Sequence, residues 1–414
     1  METNYRRTRL TCFFTNIAIS SVFSVPPVLF MTFHTVYGIS YTLLGTLVAI
    51  NFITQLTIDL IFSFFTKYFN IPLTVRIMPL LTTAGLATYA LIPLFFPEHA
   101  YTGLVIGTVI FSVSAGLSEV LISPTVAAMP SDHPDRDMSL LHSLYGWGVL
   151  FNVLLATLYV WLFGAENWQY LILFLAILPL IASILFFLSP MPPMTLSHPV
   201  GKGSSKVKRI GILLCIACIF LGSATENVMT NWISGFAEHA LGIPKLWGDI
   251  FGLALFALFL SVARTLYAKF GKKIEAVMLY CMIGSIGCYL LAALSPNDTV
   301  ALIAAALTGV SASMLWPGTL ILMEEKMPGL GVVAYALMAA GGDFGASVAP
   351  QLVGVIVDSV SLTELAKKLA ESLAVTPDAI GLKTGMLVTA IFPTLGVLLL
   401  LCMRRFFKKN KFTE

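Results

Sequence analysis

The sequence predicts an all-α polytopic membrane protein, twelve transmembrane helices in two six-helix halves. Three observations predict it. The 414-residue chain is 57% hydrophobic and only 11% charged, with a mean hydropathy of +0.89, whereas a soluble chain carries about 25% charged residues. Twelve apolar runs are each long enough to cross a bilayer, which takes roughly 20 mostly apolar residues. A stretch rich in Pro, Gly, Ser and Lys separates six of these runs from the other six.

The runs lie at about 10–31, 42–66, 72–96, 101–127, 138–163, 168–189, 210–236, 246–268, 274–294, 299–323, 332–358 and 383–403. None alternates apolar with polar residues as a barrel strand would, so each reads as a helix. Arg6, Arg7 and Arg9 precede a first run too long for a signal-peptide core. No small-residue cleavage site follows it, so it reads as an uncleaved span. The stretch PMPPMTLSHPVGKGSSKVKR (190–209) has linker composition. It divides the chain into an N-terminal bundle, 1–189, and a C-terminal bundle, 210–414. Twelve spans place both termini on one side. Nineteen Lys and Arg fall on that side and four on the other, with Arg264 inside a run; the basic excess predicts cytoplasmic termini.

Composition also excludes. A net charge of +3 is too small and too dispersed to point to nucleic acid. The six cysteines lie in the runs or at their ends. Cys215 and Cys218 form a CxxC without a second pair or His partners, so they read as reduced structural thiols. No P-loop, HExxH or nucleophile elbow is present. The chain is therefore expected to be no enzyme, to carry no cofactor or metal, and to draw its energy from ion gradients.

The halves echo each other. YGIS-YTLLG (37–45) aligns with LGIP-KLWGD (241–249), and VSAGLSEVLISPTVAAMP (113–130) with GVSASMLWPGTLILMEEKMP (309–328). Such repeats, with a site near the midplane, are a transporter architecture. The stretch 359–382 departs from the repeat. Leu362, Leu365, Leu369 and Leu373 recur there at helical spacing, which predicts a short amphipathic helix on the outer surface, either packed there or serving as a lid.

A charge left in hydrocarbon costs several kcal/mol unless paired or hydrated, so each one marks a candidate site. Ser112, Gly116, Glu119 and Ser123 share one face of the fourth run, a polar stripe that water or a solute would use. Glu119 is the candidate for loading a proton. On the seventh run Glu226 joins Ser223, Asn227 and Thr230, followed by Asn231 and Trp232, a set suited to a polyhydroxylated ligand. The fifth run offers Tyr145 and Asn152 as ligands and His142 as a proton group; Asn16 and Trp316 complete the candidate lining. Asp343 sits in the glycine-rich AAGGDFGAS (339–347) and is a further coupling candidate, while Asn51, Gln55 and Asp59 recur at i, i+4, i+8. Arg264 is expected in an ion-pair latch with Asp59 or Asp343, which makes Asp59 and Arg264 gating candidates.

These residues resemble a known family. The six-plus-six layout, inside linker and inside termini are similar to the major facilitator superfamily. ATENVMTNWISGFAE (224–238) and SAGLSEVLISP (114–124) resemble helices 7 and 4 of its fucose-permease-like sugar:proton symporters. The resemblance implies that Glu119 takes part in proton coupling or sugar binding, and that Glu226, Asn231 and Trp232 line the cavity. Two features depart from it. The first run holds Asn16 where those permeases carry an acid, and the loop after the second run is reduced to Lys67-Tyr-Phe-Asn-Ile-Pro. The expected function is proton-coupled uptake of a monosaccharide or similar polar solute by alternating access, in a cell membrane. Export of amphipathic or drug-like molecules is the alternative. The expected partners are a sugar-like solute, protons and the bilayer, with the chain acting as a monomer.

Overall fold

The structure, a computed structural model, describes residues 5–65, 68–131, 134–193, 206–327 and 332–410. Most of the expected linker, 194–205, and Lys67 lie outside the described residues. Among the described residues, twelve helices are long and apolar enough to cross a membrane. They are α1 (Arg6–Tyr37), α2 (Tyr41–Phe62), α3 (Ile71–Phe95), α4 (Pro97–Val126), α5 (Ser143–Phe163) and α6 (Ala165–Phe187). The other six are α7 (Lys208–Ala240), α8 (Lys245–Tyr267), α9 (Ile274–Leu294), α10 (Asp298–Met323), α11 (Leu337–Ser361) and α12 (Pro377–Lys409). The described residues contain no strand. The chain divides into two compact units, residues 1–39 with 50–197, and residues 40–49 with 198–414. The first residues of α2 thus group with the second unit.

In the first unit α1 breaks at Ser20, between helices Arg6–Ile19 and Ser21–Tyr37. The Ser20 hydroxyl turns back to the Ile17 carbonyl at 2.6 Å and Ser24 to that of Ser20 at 2.8 Å. Pro26 and Pro27 follow without N–H groups, a combination that bends helices. Trp168, at the head of α6, is wholly buried. Its ring meets Phe33 edge-on at 4.9 Å and Tyr89 at 6.0 Å, while its N–H donates to the Tyr37 hydroxyl at 3.3 Å. Aromatic packing and a satisfied polar tip fix that corner of the bundle.

The second unit is built around a sulfur-rich core that includes Cys215, Cys218, Met278, Met282, Met323 and Met338. All six cysteines are free. Lipid supplies no hydrophobic drive between helices, so close packing and interhelical hydrogen bonds hold them together. One such bond runs from the Tyr289 hydroxyl on α9 to the Thr225 carbonyl on α7, at 2.7 Å. Large apolar side chains such as Trp161, Phe174, Leu291 and Leu398 point outward and exposed. On a soluble protein they would form aggregation-prone patches; on this one they are the surface that meets acyl chains.

A short helix, Glu364–Leu373, joins α11 to α12, with the Thr363 hydroxyl accepting from the Ala366 N–H at 3.1 Å as its cap. The sequence places its leucines against the protein. The structure reverses this: Ala366 and Ala370 are buried, whereas Leu362, Leu365 and Leu369 are 75%, 77% and 43% exposed. Small alanines allow the helix backbone a close approach that leucines would block. On the charged arc the Lys367 ammonium hydrogen-bonds Glu364 at 2.9 Å, and that bond holds the Glu364 carboxyl below its ordinary value.

Candidate functional site

In the first unit the polar stripe of α4 faces the polar ladder of α2. The Ser112 hydroxyl donates to Asn51 Oδ1 at 2.7 Å, and Gln55 Nε2 donates to the same oxygen at 3.0 Å. One turn further, Gly116 lets the backbones meet: a Cβ there would lie 3.1 Å from the Gln55 carbonyl oxygen and 3.1 Å from Ile58 Cβ. One turn beyond that, carboxylate oxygens of Asp59 and Glu119 approach within 4.8 Å. Asp59 is 2% exposed, and neither of its carboxylate oxygens has a hydrogen-bond partner among the described residues. Glu119 is exposed although it sits within the span Pro97–Val126. A membrane helix pair therefore presents two acids to each other, one sealed in protein and one open to solvent-sized space.

The other candidates of this unit are more committed to structure. Asn16 is half-buried and its amide donates to the Leu141 carbonyl at 2.9 Å. Asn152 is wholly buried and donates to the Ser20 hydroxyl at 2.9 Å, which ties α5 to the break in α1. Tyr145 is half-buried, its ring edge-on to Phe23 at 5.9 Å. The His142 side chain lies outside the described residues.

In the second unit, Arg264 on α8 reaches Glu226 on α7. Its Nη2 donates to Oε1 at 3.0 Å and Oε2 at 2.9 Å, and its Nε donates to the Ser313 carbonyl at 2.9 Å. The sequence assigns Arg264 to Asp59 or Asp343; the structure gives it Glu226. Asn227 donates within its own helix to the Ser223 carbonyl at 3.1 Å, and Asn231 to the Asn227 carbonyl at 2.8 Å. Trp232, expected to line a cavity, is instead wholly buried, and its N–H donates to the Pro350 carbonyl at 3.0 Å. Its ring lies 6.0 Å from that of Tyr41. With no exposed face and a satisfied N–H, Trp232 is a packing residue. Trp316 is half-buried and lies over Gly342, and Asp343 is buried.

Two polar arrangements escape the sequence reading. Lys245 bonds Asp249 at 3.2 Å and the Ser234 hydroxyl at 3.2 Å, next to a contact between Ser234 and Asp249. The i,i+4 spacing of Lys245 and Asp249 was the available signal. Asp358, at the end of α11, accepts from the N–H groups of Tyr41 and Thr42 at 3.2 and 2.7 Å. No local pattern signals that contact, because the partners are more than 300 residues apart. Among the described residues, neither unit by itself gathers three His, Cys, Asp or Glu side chains at metal-ligand spacing.

Residues 11–350 match the family model of the Major Facilitator Superfamily. The chain belongs to that superfamily. No curated protein matches the sequence. Solved transporters of the superfamily's fold are similar over nearly the whole chain. A bacterial homologue of the human lysosomal transporter Spinster has 14% identity and a TM-score of 0.76, covering 100% of both chains. A D-xylose–proton symporter has 18% identity and a TM-score of 0.72, covering 94% of this chain and 97% of its own. A nucleoside transporter has 12% identity and a TM-score of 0.70, covering 96% and 98%. At such identities the likeness shows the fold alone. As a member of the Major Facilitator Superfamily, this multi-pass protein is a transporter of small molecules and not an enzyme.

Proposed function

We propose that the chain carries out proton-coupled uptake of a monosaccharide or similarly polar small solute by alternating access. The observation that carries this reading is the approach of the Asp59 and Glu119 carboxylates within 4.8 Å inside the membrane-spanning region. Two anions so close in a low-dielectric setting repel, and a proton bound between them removes the repulsion. Glu119, the exposed member, exchanges that proton with water; Asp59, expected as a gating residue, is its buried partner. His142 and Asp343 are secondary coupling candidates. The solute-facing candidates are the half-buried Asn16, Tyr145, Glu226, Asn227 and Trp316, an amide-, carboxyl- and aromatic-rich set suited to hydroxylated ligands, whereas Asn231, 6% exposed, is buried beside Trp232. Arg264 is a gating residue that acts through Glu226. The Lys and Arg distribution supports a cell-membrane protein with both termini cytoplasmic, and the reading is of a monomer.

The test is uptake in proteoliposomes with and without an imposed proton gradient. Gradient-driven accumulation should disappear in Glu119→Gln while solute counterflow persists. Accumulation that survives Glu119→Gln overturns the coupling assignment. A thermal-shift panel tests the solute class: stabilisation by hexoses supports it, and stabilisation by lipophilic cations alone points to export of amphipathic molecules.

A further inference from the structure

The short helix Glu364–Leu373 shows three arcs around its axis. Ala366 and Ala370 are buried against the protein. Glu364, Lys367, Lys368 and Glu371 occupy the far side, which their charges keep in water. Between the two lies the arc of Leu365, Leu369 and Leu373, 77%, 43% and 58% exposed, with Leu362 continuing it at 75%. The spacing places those leucines within about 80° of one another and next to the alanine line. An apolar arc left open beside a docked one is the pattern of a helix at a boundary, with protein, water and a third medium on its three sides.

Position identifies the third medium. Only two residues separate the helix from the end of α11 at Ser361, and three separate it from the start of α12 at Pro377. So short a tether at both ends keeps it where two spans leave the bilayer, on the face opposite the termini. Both spans carry outward apolar residues of their own, with Val355 on α11 and Val388 and Ile391 on α12 exposed. We infer that Glu364–Leu373 lies in the plane of the membrane interface, with Leu362, Leu365, Leu369 and Leu373 inserted among the lipids of the leaflet opposite the termini. The occupant of this face is the bilayer. The helix is neither a lid over the transport path nor a packing element held by its leucines.

The experiment attaches an environment-sensitive fluorophore to single cysteines in the full-length protein, in phosphatidylcholine–phosphatidylglycerol vesicles. Cys402, the exposed native thiol, is first replaced by Ser. Leu365→Cys and Leu369→Cys report on the apolar arc independently, and Lys367→Cys on the charged arc. Lipids brominated near the headgroup end of their chains should quench the two leucine sites at least threefold more than the lysine site. Aqueous iodide should show the opposite order. Equal iodide quenching at all three sites overturns the inference in favour of a water-exposed lid. Shielding at the leucine sites without quenching by brominated lipid overturns it in favour of contact with a second copy of the chain. Should one leucine variant fail to fold, the other still decides.

Discussion

Arg264 places one nitrogen between the two carboxylate oxygens of Glu226, 3.0 and 2.9 Å away, while its Nε holds the Ser313 carbonyl. One guanidinium thus ties α8 to both α7 and α10. The pair is mostly screened from solvent, with side chains 32% and 17% exposed. Removing one partner strands a charge inside the bundle. Arg264→Ala should cost about 2 kcal/mol, below the range for fully buried pairs because the guanidinium is partly solvated. Arg264→Lys should recover less than half, since an ammonium lacks the planar fork. Glu226→Gln combined with Arg264→Gln should cost less than the sum of the single changes. Thermal unfolding of the four proteins checks the cycle, and strict additivity would remove the pair as an energetic unit.

Asp59 poses the reverse situation. Its oxygens are buried without a hydrogen-bond partner, and the neighbour that approaches is another acid. Neutralising it should stabilise. Asp59→Asn removes the repulsion and supplies an amide that donates to Glu119, so the unfolding temperature should rise, by the equivalent of about 1 kcal/mol. Proton-driven accumulation should fall in the same variant. A lower unfolding temperature would mean that Asp59 carries a favourable contact of its own.

Asp358 acts at long range as a helix cap. Its two oxygens take the first N–H groups of α2, from Tyr41 and Thr42, which the helix itself leaves without partners. A carboxylate at that end also meets the positive end of the helix dipole. Asp358→Ala should therefore cost about 1–2 kcal/mol, and Asp358→Asn roughly half as much. Hydrogen exchange locates the effect: the amides of residues 41 and 42 should lose protection before the middle of α2 does. Unchanged protection there would assign any destabilisation to another cause.

The fold was legible because lipid imposes a length on every span. Within helices, faces were legible too. Ser112, Gly116 and Glu119 do share a side of α4, as Asn51, Gln55 and Asp59 share one of α2. What the pattern withholds is which face meets which. Glu226 and Arg264 lie on separate helices, and only packing brings them together. Trp232 shows the same blindness, since an aromatic on a polar face reads as a ligand platform until burial shows its N–H on Pro350. In Glu364–Leu373 hydropathy identified the apolar arc, yet the part that docks is chosen by side-chain size, and alanine wins.

The glycines of AAGGDFGAS make that point testable, because packing gives two superficially similar residues opposite consequences. A Cβ on Gly345 of α11 would collide with the Phe220 carbonyl oxygen of α7 and lie 3.2 Å from the Ala224 nitrogen. Both obstacles are helix backbone, which yields only if the helices separate. Gly345→Ala should cost about 1–3 kcal/mol. Gly287, in the middle of α9, has no heavy atom within 4 Å of its added Cβ. There the usual helix preference for alanine is unopposed, and Gly287→Ala should stabilise by up to about 1 kcal/mol. Unfolding temperatures measured side by side should move in opposite directions. If Gly345→Ala is tolerated as well as Gly287→Ala, the close approach of α7 and α11 is wrong, and with it the placement of the buried Asp343 two residues earlier.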